Sequence, residues 1–266
     1  MALIHLLIMP QFSRYIGIDY SGAQLPDRGL PGLRVYLATP DDAPQEILPP
    51  PGLKKYWCRR GIAAWLLEML LDDTPTLIGI DHGFSFPLDY FAHYQLPLDW
   101  DHFLRDFCHH WPTDQCSVAE VRKNLQGHGT ARTGHNCWRR ITEKRSRGAK
   151  SVFHFDVPGS VATSTHAGLP WLKHLRERRG TNLHFWPFDG WSLPVATSVI
   201  TEVYPSLWSR LYPNETRSAD QHDAYCIARW MRESDQSKTL LQKFSPHLSE
   251  EELKSARTEG WILGVP

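Results

Sequence analysis

Short apolar runs that stop at an acidic residue or a turn indicate the strands of this chain. Residues 14–19 form an apolar run that ends at Tyr20-Ser21-Gly22. Residues 33–38 show a similar strand-like pattern, and residues 45–48 fit a third, short strand. Because short Gly, Pro and Asp connections join these runs, we predict an antiparallel meander. Residues 76–81 (TLIGID) are continuously apolar, which is typical of a buried parallel strand.

Helical periodicity follows the meander and returns near the end of the chain. Residues 61–71 place their apolar side chains on one face, which predicts a helix before strand four. A β-branched strand is predicted over residues 197–204, followed by a helix that Ser218 or Asp220 caps and that runs to about residue 233. A final helix is predicted to begin at Ser249, whose Ser-Glu-Glu-Glu sequence is a capping box.

Between Asp81 and the strand predicted at residues 197–204, the regular succession of strands and helices is lost for over a hundred residues. Helical stretches are predicted at residues 100–111, 118–125 and 170–179. The order is therefore three strands, helix, strand, long insertion, strand and helix. We predict an α/β fold with a mixed sheet flanked by helices. Residues 1–266 are expected to form a single domain, with a mostly helical and loop insertion at residues 84–195 between strands four and five.

Composition and charge narrow the function only slightly. The chain is 41% hydrophobic and 22% charged with zero formal net charge, so attraction to a polyanion has to come from local patches. Five cysteines without regular spacing indicate reduced thiols, as expected in the cytoplasm. The apolar residues 1–10 are too few to cross a bilayer, and we expect neither a signal peptide nor a membrane partner.

Two strands end in the same local pattern. Asp19 and Asp81 each follow Ile-Gly-Ile and precede a turn. Functional groups of α/β sheets gather at strand ends, and a carboxylate there is costly to bury unless something neutralises it. Either aspartate alone would fit a turn cap equally well. Two matching cases in one chain favour a shared functional site.

Three further acidic residues lie near the end of the chain. Asp220 and Asp223 are three apart at the start of a predicted helix and project from one face, where they would also stabilise the helix dipole. Glu202 lies in an otherwise apolar strand and needs a partner, either a cation or an arginine. Carboxylates from separate elements suit Mg²⁺ or Mn²⁺. His82 and His222 adjoin these acids and fit either proton transfer or a structural role.

Several segments together resemble a known family. They are GIDYSG, IGIDHGFSFP, TEVYPSLW, DQHDAYCIARW, KSVFHFDVPGSVATSTHAGLPWLKHL and EGWILG. These motifs, spread over residues 15–264, resemble domain-of-unknown-function family 429, whose members are regarded as ribonuclease H-like nucleases. The resemblance implies a ribonuclease H-like fold. Asp19, Asp81 and the pair Asp220 and Asp223 also resemble the acids of Holliday-junction resolvases, although strand four here carries Asp rather than Glu and a far larger insertion follows it.

The insertion contains a basic stretch that fits a polyanion. Residues 121–150 hold nine basic side chains and one acidic one, which predicts phosphate contacts or a solvated surface loop. A Ser/Thr loop at residues 158–165 could present backbone N–H groups to an anion, or be an ordinary capped loop. The predicted substrate-binding residues are Arg139, Arg140, Lys144, Arg145, Lys150, Ser160 and Thr163.

The predicted function is a nuclease that depends on Mg²⁺ or Mn²⁺ and hydrolyses phosphodiesters of DNA or RNA with metal-activated water. Asp19 is expected to bridge the ions, while Asp81 and one or both of Asp220 and Asp223 complete their coordination. Glu202 is either a further ligand or an orienting residue. Two alternatives remain open: an actin-like nucleotide-binding or phosphotransfer protein, and a non-catalytic nucleic-acid-binding module of the same fold.

Overall fold

The computed structural model describes residues 10–51, 55–125, 130–146 and 148–266. The N-terminal apolar segment and Arg147 therefore lie outside the described residues. A mixed six-stranded sheet flanked by helices confirms the predicted α/β class. Its strands are β1 (Arg14–Asp19), β2 (Arg34–Ala38), β3 (Gln45–Glu46), β4 (Thr76–Asp81), β5 (Leu183–Phe185) and β6 (Ser198–Glu202).

The strands are ordered β3-β2-β1-β4-β6-β5 across the sheet. The predicted meander is confirmed, since β2 pairs antiparallel with both β1 and β3. The other pairs, β1 with β4, β4 with β6 and β6 with β5, are parallel. The carboxyl ends of β1, β4 and β6 consequently meet at one edge of the sheet.

Helices cover both faces of the sheet. They are α1 (Arg59–Met69), α2 (Leu88–His93), α3 (Trp100–His110), α4 (Val118–Leu125), α5 (Ile141–Arg145), α6 (Ala162–Arg179), α7 (Ala219–Gln236), α8 (Leu240–Lys243) and α9 (Glu250–Glu259). The predicted caps are confirmed at Ser218 and Ser249, whose hydroxyls accept from the N–H groups of Gln221 and Glu252. No helix in the described ranges is long and apolar enough to cross a membrane.

Alternation along the strands divides the core between the two faces. Tyr15 and Leu77 pack on the side of α7, whereas Ile16 and Ile78 pack on the side of α1, α3 and α6. The second side is built largely from the insertion, whose aromatic side chains fill the space above the sheet. The insertion thus shares a hydrophobic core with the strands that precede it.

Two parts of the insertion differ from the prediction. Strand β5 was missed, because three residues are too short for a periodic pattern. Helix α6 begins at Ala162, eight residues before the predicted start at Pro170. A proline inside a helix leaves the carbonyl four residues earlier without its backbone partner. Here the hydroxyl of Thr113 donates to that carbonyl of His166, which satisfies it and lets the helix continue through Pro170.

Candidate functional site

Asp19 and Asp81 lie side by side at the carboxyl edge of the sheet. They are register partners in the parallel pair β1 and β4, each at the last position of its strand. Residues two apart on a strand share a face, so both aspartates lie on the face of Gly17 and Gly79, which α7 covers. The repeated Ile-Gly-Ile-Asp pattern therefore builds one edge of a site.

The two glycines let α7 approach the sheet. A Cβ on Gly17 would lie 2.3 Å from the carbonyl oxygen of Ala224 and 2.6 Å from the nitrogen of Ala228. A Cβ on Gly79, its register partner, would lie 2.8 Å from the Cγ2 of Ile227. All three distances are shorter than van der Waals contact, so neither strand tolerates a side chain at this position. The absence of a side chain at both positions brings the first turns of α7 next to the strand ends.

Helix α7 supplies the remaining carboxylates. Asp220 lies in its first turn and Asp223 one turn later, so both follow the capped end at Ser218. The Asp220 carboxylate lies beside the loop that follows β1, because a Cβ on Gly32 would be 3.5 Å from its Oδ2. Asp19, Asp81, Asp220 and Asp223, which we call the acidic cluster, thus come from three separate elements.

Burial and mutual repulsion raise the pKa values in the acidic cluster. Burial raises the pKa of Asp19 well above its usual value, and the charges of Asp81, Asp223 and Asp220 raise it further. For Asp81, burial again has the largest effect on the pKa, followed by the charges of Asp223 and Glu202. Burial also raises the pKa of Asp223, while the neighbouring His222 lowers it. The acidic cluster is therefore an electrostatically unfavourable arrangement, because its carboxylates repel one another.

No lysine or arginine in the described part of the chain forms an ion pair with these four carboxylates. Within the same residues, no three side chains of His, Cys, Asp or Glu are already arranged to hold a metal ion. The donor chemistry suits a hard divalent cation.

Glu202, predicted as either a further ligand or an orienting residue, has both carboxylate oxygens hydrogen-bonded to an arginine, which argues against the ligand role. Its register partner is Ile80 rather than Asp81, so its side chain lies on the opposite face from the acidic cluster. There its two carboxylate oxygens accept from the Nη1 and Nη2 of Arg140 at 2.7 and 2.6 Å. Of the two partners predicted for Glu202, a cation or an arginine, the structure contains the arginine.

Arg140 is likewise unavailable to a substrate phosphate, which corrects its predicted role. The side chain is 1% exposed, and besides Glu202 it donates through Nε to Glu143 at 2.8 Å. Glu259 completes the surroundings: its carboxylate accepts from the backbone N–H of Ile141, and its carbonyl accepts from Arg140. We call Arg140, Glu143, Glu202 and Glu259 the buried ion network. It joins the insertion to β6 and α9.

The other predicted substrate-binding arginines also have internal partners. Arg139 donates to the carbonyls of Glu143 and Ala149. Arg145 donates to Glu252 at 2.6 Å and to two backbone carbonyls. Lys144 is exposed and has no ion-pair partner in the described ranges. Among these described residues, Lys144 is therefore more accessible to a polyanion than Arg139 or Arg145.

Lys150, Ser160 and Thr163 lie at the same edge of the sheet as the acidic cluster. Lys150 and Asp81 line one small cavity together with Arg140, Glu143 and Glu202 of the buried ion network. Lys150 also donates to the carbonyl of Pro158. The hydroxyl of Ser160 accepts from the N–H of Ala162 at 3.1 Å, which is the capped-loop alternative. Thr163 packs through its carbonyl against Gly22, where a Cβ would be only 2.1 Å away. The start of α6 thus adjoins the turn after β1.

The two histidines beside the acids are held by backbone carbonyls. His82 is buried, its Nδ1 lies 2.9 Å from the carbonyl oxygen of Gly83, and burial lowers its pKa to about 4. His222 lies with its Nε2 3.0 Å from the carbonyl oxygen of Ser209. These contacts favour a structural role for both side chains.

The sequence analysis predicted neither the close approach of α7 at Gly17 and Gly79 nor the identity of the arginine that pairs with Glu202. The repeated Gly two residues before each Asp was a usable signal for close approach of a helix. Nothing in the spacing of Arg140 and Glu202, 62 residues apart, could have indicated their pairing. Comparisons with family models, curated proteins and solved structures find no match to this chain.

Proposed function

We propose that this protein is a divalent-metal-dependent nuclease of the ribonuclease H-like fold, with its site at the acidic cluster. The strand order supports the fold: an antiparallel meander at one side of the sheet continues into parallel strands, with a helix after the last central strand. The predicted kinship with domain-of-unknown-function family 429 belongs to the same proposal.

One observation carries the proposed function. Asp19, Asp81 and Asp223 converge from β1, β4 and α7, interact electrostatically, and have no Lys or Arg partner among the described residues. Two other buried carboxylates are neutralised or satisfied within the chain. Glu202 pairs with Arg140. Asp235 accepts hydrogen bonds from the N–H of Phe12 and the hydroxyl of Tyr15. A site that repels itself is stabilised by a cation from solution.

The side chains of the acidic cluster define how the site would work. Asp19, Asp81 and Asp223 would hold Mg²⁺ or Mn²⁺, with Asp220 at the outer end of the cluster. A bound ion of this kind would supply an activated water and stabilise the leaving oxygen of a phosphodiester. Lys150, in the same cavity as Asp81, would attract and orient the substrate phosphate.

The test is metal-dependent cleavage of single-stranded and double-stranded DNA and RNA by the purified chain. We expect cleavage with Mn²⁺ or Mg²⁺ that EDTA abolishes. Asp19→Asn and Asp223→Asn should each lower the rate by at least about a hundredfold, since each removes a charge that holds the ion. The matched control is Asp41→Asn. Asp41 is exposed and follows β2, whose last residue Ala38 pairs with Tyr15 at the start of β1, the end opposite Asp19.

Equal cleavage by wild type, Asp19→Asn and Asp223→Asn would refute the assignment. Calorimetry with Mn²⁺ separates the alternatives. A chain that binds no Mn²⁺ at millimolar concentration yet binds nucleic acid is a non-catalytic module. Tight ATP binding without cleavage would favour the actin-like nucleotide-binding alternative.

A further inference from the structure

A groove lies beside the loop that joins β1 to β2. One wall is the middle of that loop, residues 25–29, and the other is formed by Lys55 and Tyr56, which precede α1. We call it the loop groove. Its volume of about 560 Å³ is within the range of ligand sites, so it has room for a ligand of the size of a nucleotide.

Hydrogen bonds hold the loop in place. The buried guanidinium of Arg59 donates to the carbonyls of Ala23 and Gln24 at 2.7 and 2.9 Å. The N–H of Leu30 donates to the carbonyl of Trp57 at 2.9 Å, which ties the loop to the segment that forms the opposite wall. The loop groove is therefore preformed, and a ligand does not have to order its walls on binding.

The same loop adjoins the acidic cluster. It begins directly after Asp19, and near its other end a Cβ on Gly32 would lie 3.5 Å from the carboxylate of Asp220. Three residues of chain span at most about 11 Å, which bounds the distance from Gly32 to Gly29 in the groove wall. A nucleic-acid strand with a phosphodiester at the acidic cluster would therefore reach the loop groove within a few nucleotides.

Two exposed cations line the loop groove. Arg28 and Lys55 form no ion pair within the described ranges of the chain. Asp27, the acidic residue of the lining, pairs with Arg60 at 2.7 Å. Exposed cations of this kind bind the phosphates of a nucleic acid and release its counterions. The charge of the loop groove thus complements a polyanion.

Tyr56 supplies a half-buried aromatic ring in the same groove. The guanidinium of Arg34 and the ammonium of Lys55 each lie 5.1 Å from its ring centre. Arg34 is the register partner of Asp19, so one side chain links this ring to the strand end that carries the acidic cluster. When the exposed Lys55 moves to a phosphate, its place at the ring becomes open to a base. Stacking of a base on an aromatic side chain is typical of single-stranded nucleic acid.

We propose that the loop groove binds single-stranded nucleic acid next to the phosphodiester that the acidic cluster cleaves. One base stacks on Tyr56, while Lys55 and Arg28 contact phosphates of the same strand. This inference rests on the proposed nuclease function and names its substrate class, a nucleic acid with an unpaired segment beside the cleavage point. A duplex does not fit, because its bases already stack on one another and present only their edges.

The test is fluorescence anisotropy on the full chain, in EDTA and at low salt. The probes are a labelled oligodeoxynucleotide of about 12 nucleotides and the duplex of the same sequence. We expect the single strand to bind at least about threefold more tightly than the duplex. Tyr56→Leu should weaken binding of the single strand by about fivefold to fiftyfold, because it removes the stacking ring, and should leave binding of the duplex unchanged. Tyr56→Phe keeps the ring and should bind as wild type does.

A second variant tests the phosphate contacts. Lys55→Gln should lower the magnitude of the slope of log affinity against log salt by about 0.7, because it removes one phosphate contact to a single strand. The matched control is Lys243→Gln on α8, another exposed lysine, which should keep the wild-type slope. Equal slopes in the two lysine variants would overturn the inference. Equal affinity of Tyr56→Leu and wild type for the single strand, or of wild type for the single strand and the duplex, would also overturn it.

Because binding is measured without metal, failure of this inference differs from failure of the proposed nuclease function. Strand binding that depends on Tyr56 and Lys55, without any metal-dependent cleavage, would refute only the nuclease function. Metal-dependent cleavage that is the same in wild type and Tyr56→Leu, for single strands and duplexes alike, would refute only the role of the loop groove.

Discussion

The acidic cluster and the buried ion network lie at the same end of the sheet, and both are rich in carboxylates. In the buried ion network, three glutamates surround Arg140, whose guanidinium donates to the side chains of Glu143 and Glu202. In the acidic cluster, the charges of four aspartates affect one another, and none of the four forms an ion pair with Lys or Arg among the described residues. The buried ion network contains its own cation, Arg140, whereas the acidic cluster would bind a cation from solution.

Two acids at adjacent strand ends illustrate this difference in surroundings. Asp81 and Glu202 lie on neighbouring strands, but their side chains point to opposite faces because Glu202 is in register with Ile80. Position at a strand end is therefore insufficient to identify a ligand. The face of the sheet and the presence of an internal cation decide between a structural and a functional carboxylate.

The largest expected effect comes from removing the internal cation. Arg140→Met would leave Glu143 and Glu202 buried without a counter-charge, and we expect a loss of about 3–5 kcal/mol in the free energy of unfolding. Urea denaturation measures it. The double variant Arg140→Met with Glu202→Gln should recover part of the loss, because it removes one of the stranded charges. A control, Arg145→Ala, breaks a more exposed pair and should cost about 1 kcal/mol or less.

The second expected effect concerns the close approach of α7. Gly17→Ala would place a Cβ 2.3 Å from the carbonyl oxygen of Ala224, so α7 has to shift away from the sheet. We expect a loss of about 1–3 kcal/mol in the free energy of unfolding, typical of overpacking, together with weaker Mn²⁺ binding. Gly61→Ala in α1 is the matched control. Alanine favours the helix there, and its Cβ would meet the Sγ of Cys58 at 3.2 Å, a contact that a small shift of this side chain relieves. Unchanged stability and Mn²⁺ affinity in Gly17→Ala would contradict our account of the site.

Much of this arrangement could be predicted from the sequence, because it depends on local patterns. Strand ends at Asp19 and Asp81 and the cap at Ser218 follow from periodicity and turn chemistry. The pairing of Arg140 with Glu202 depends on tertiary packing across 62 residues, which no local pattern encodes. The start of α6 was missed because Ser, Thr and Gly in its first turns also suit a loop, and because the partner that lets it pass Pro170 comes from a distant residue, Thr113.

The third expected effect is a gain in the free energy of unfolding, where removal of Arg140 gives a loss. Asp19→Asn removes one of four repelling charges and should raise the free energy of unfolding at pH 7, without divalent metal, by about 1–2 kcal/mol. Because the folded-state pKa of Asp19 lies above that of the unfolded chain, the wild type keeps its full relative stability below about pH 4. It loses that stability as pH rises through the raised pKa, so the advantage of Asp19→Asn should appear only above pH 4.

Thermal denaturation of the two proteins between pH 4 and pH 8 measures this effect. Added Mn²⁺ should stabilise the wild type more than Asp19→Asn, in proportion to their difference in affinity. An Asp19→Asn protein that is less stable than wild type in EDTA at every pH would show that Asp19 is a structural carboxylate like Glu202.

The smallest expected effect on stability distinguishes the lysines from the arginines of the insertion. Lys150→Ala should change the free energy of unfolding by less than about 0.5 kcal/mol, because its ammonium donates only to a backbone carbonyl at the surface. If Lys150 meets a phosphate beside Asp81, binding of a single-stranded oligonucleotide should weaken and its salt dependence should decrease by about one unit of slope. Fluorescence anisotropy over a salt series measures both. Arg145→Ala, whose guanidinium is held by Glu252, should leave that slope unchanged; an equal decrease in both variants would mean that the basic stretch attracts nucleic acid only through its overall charge.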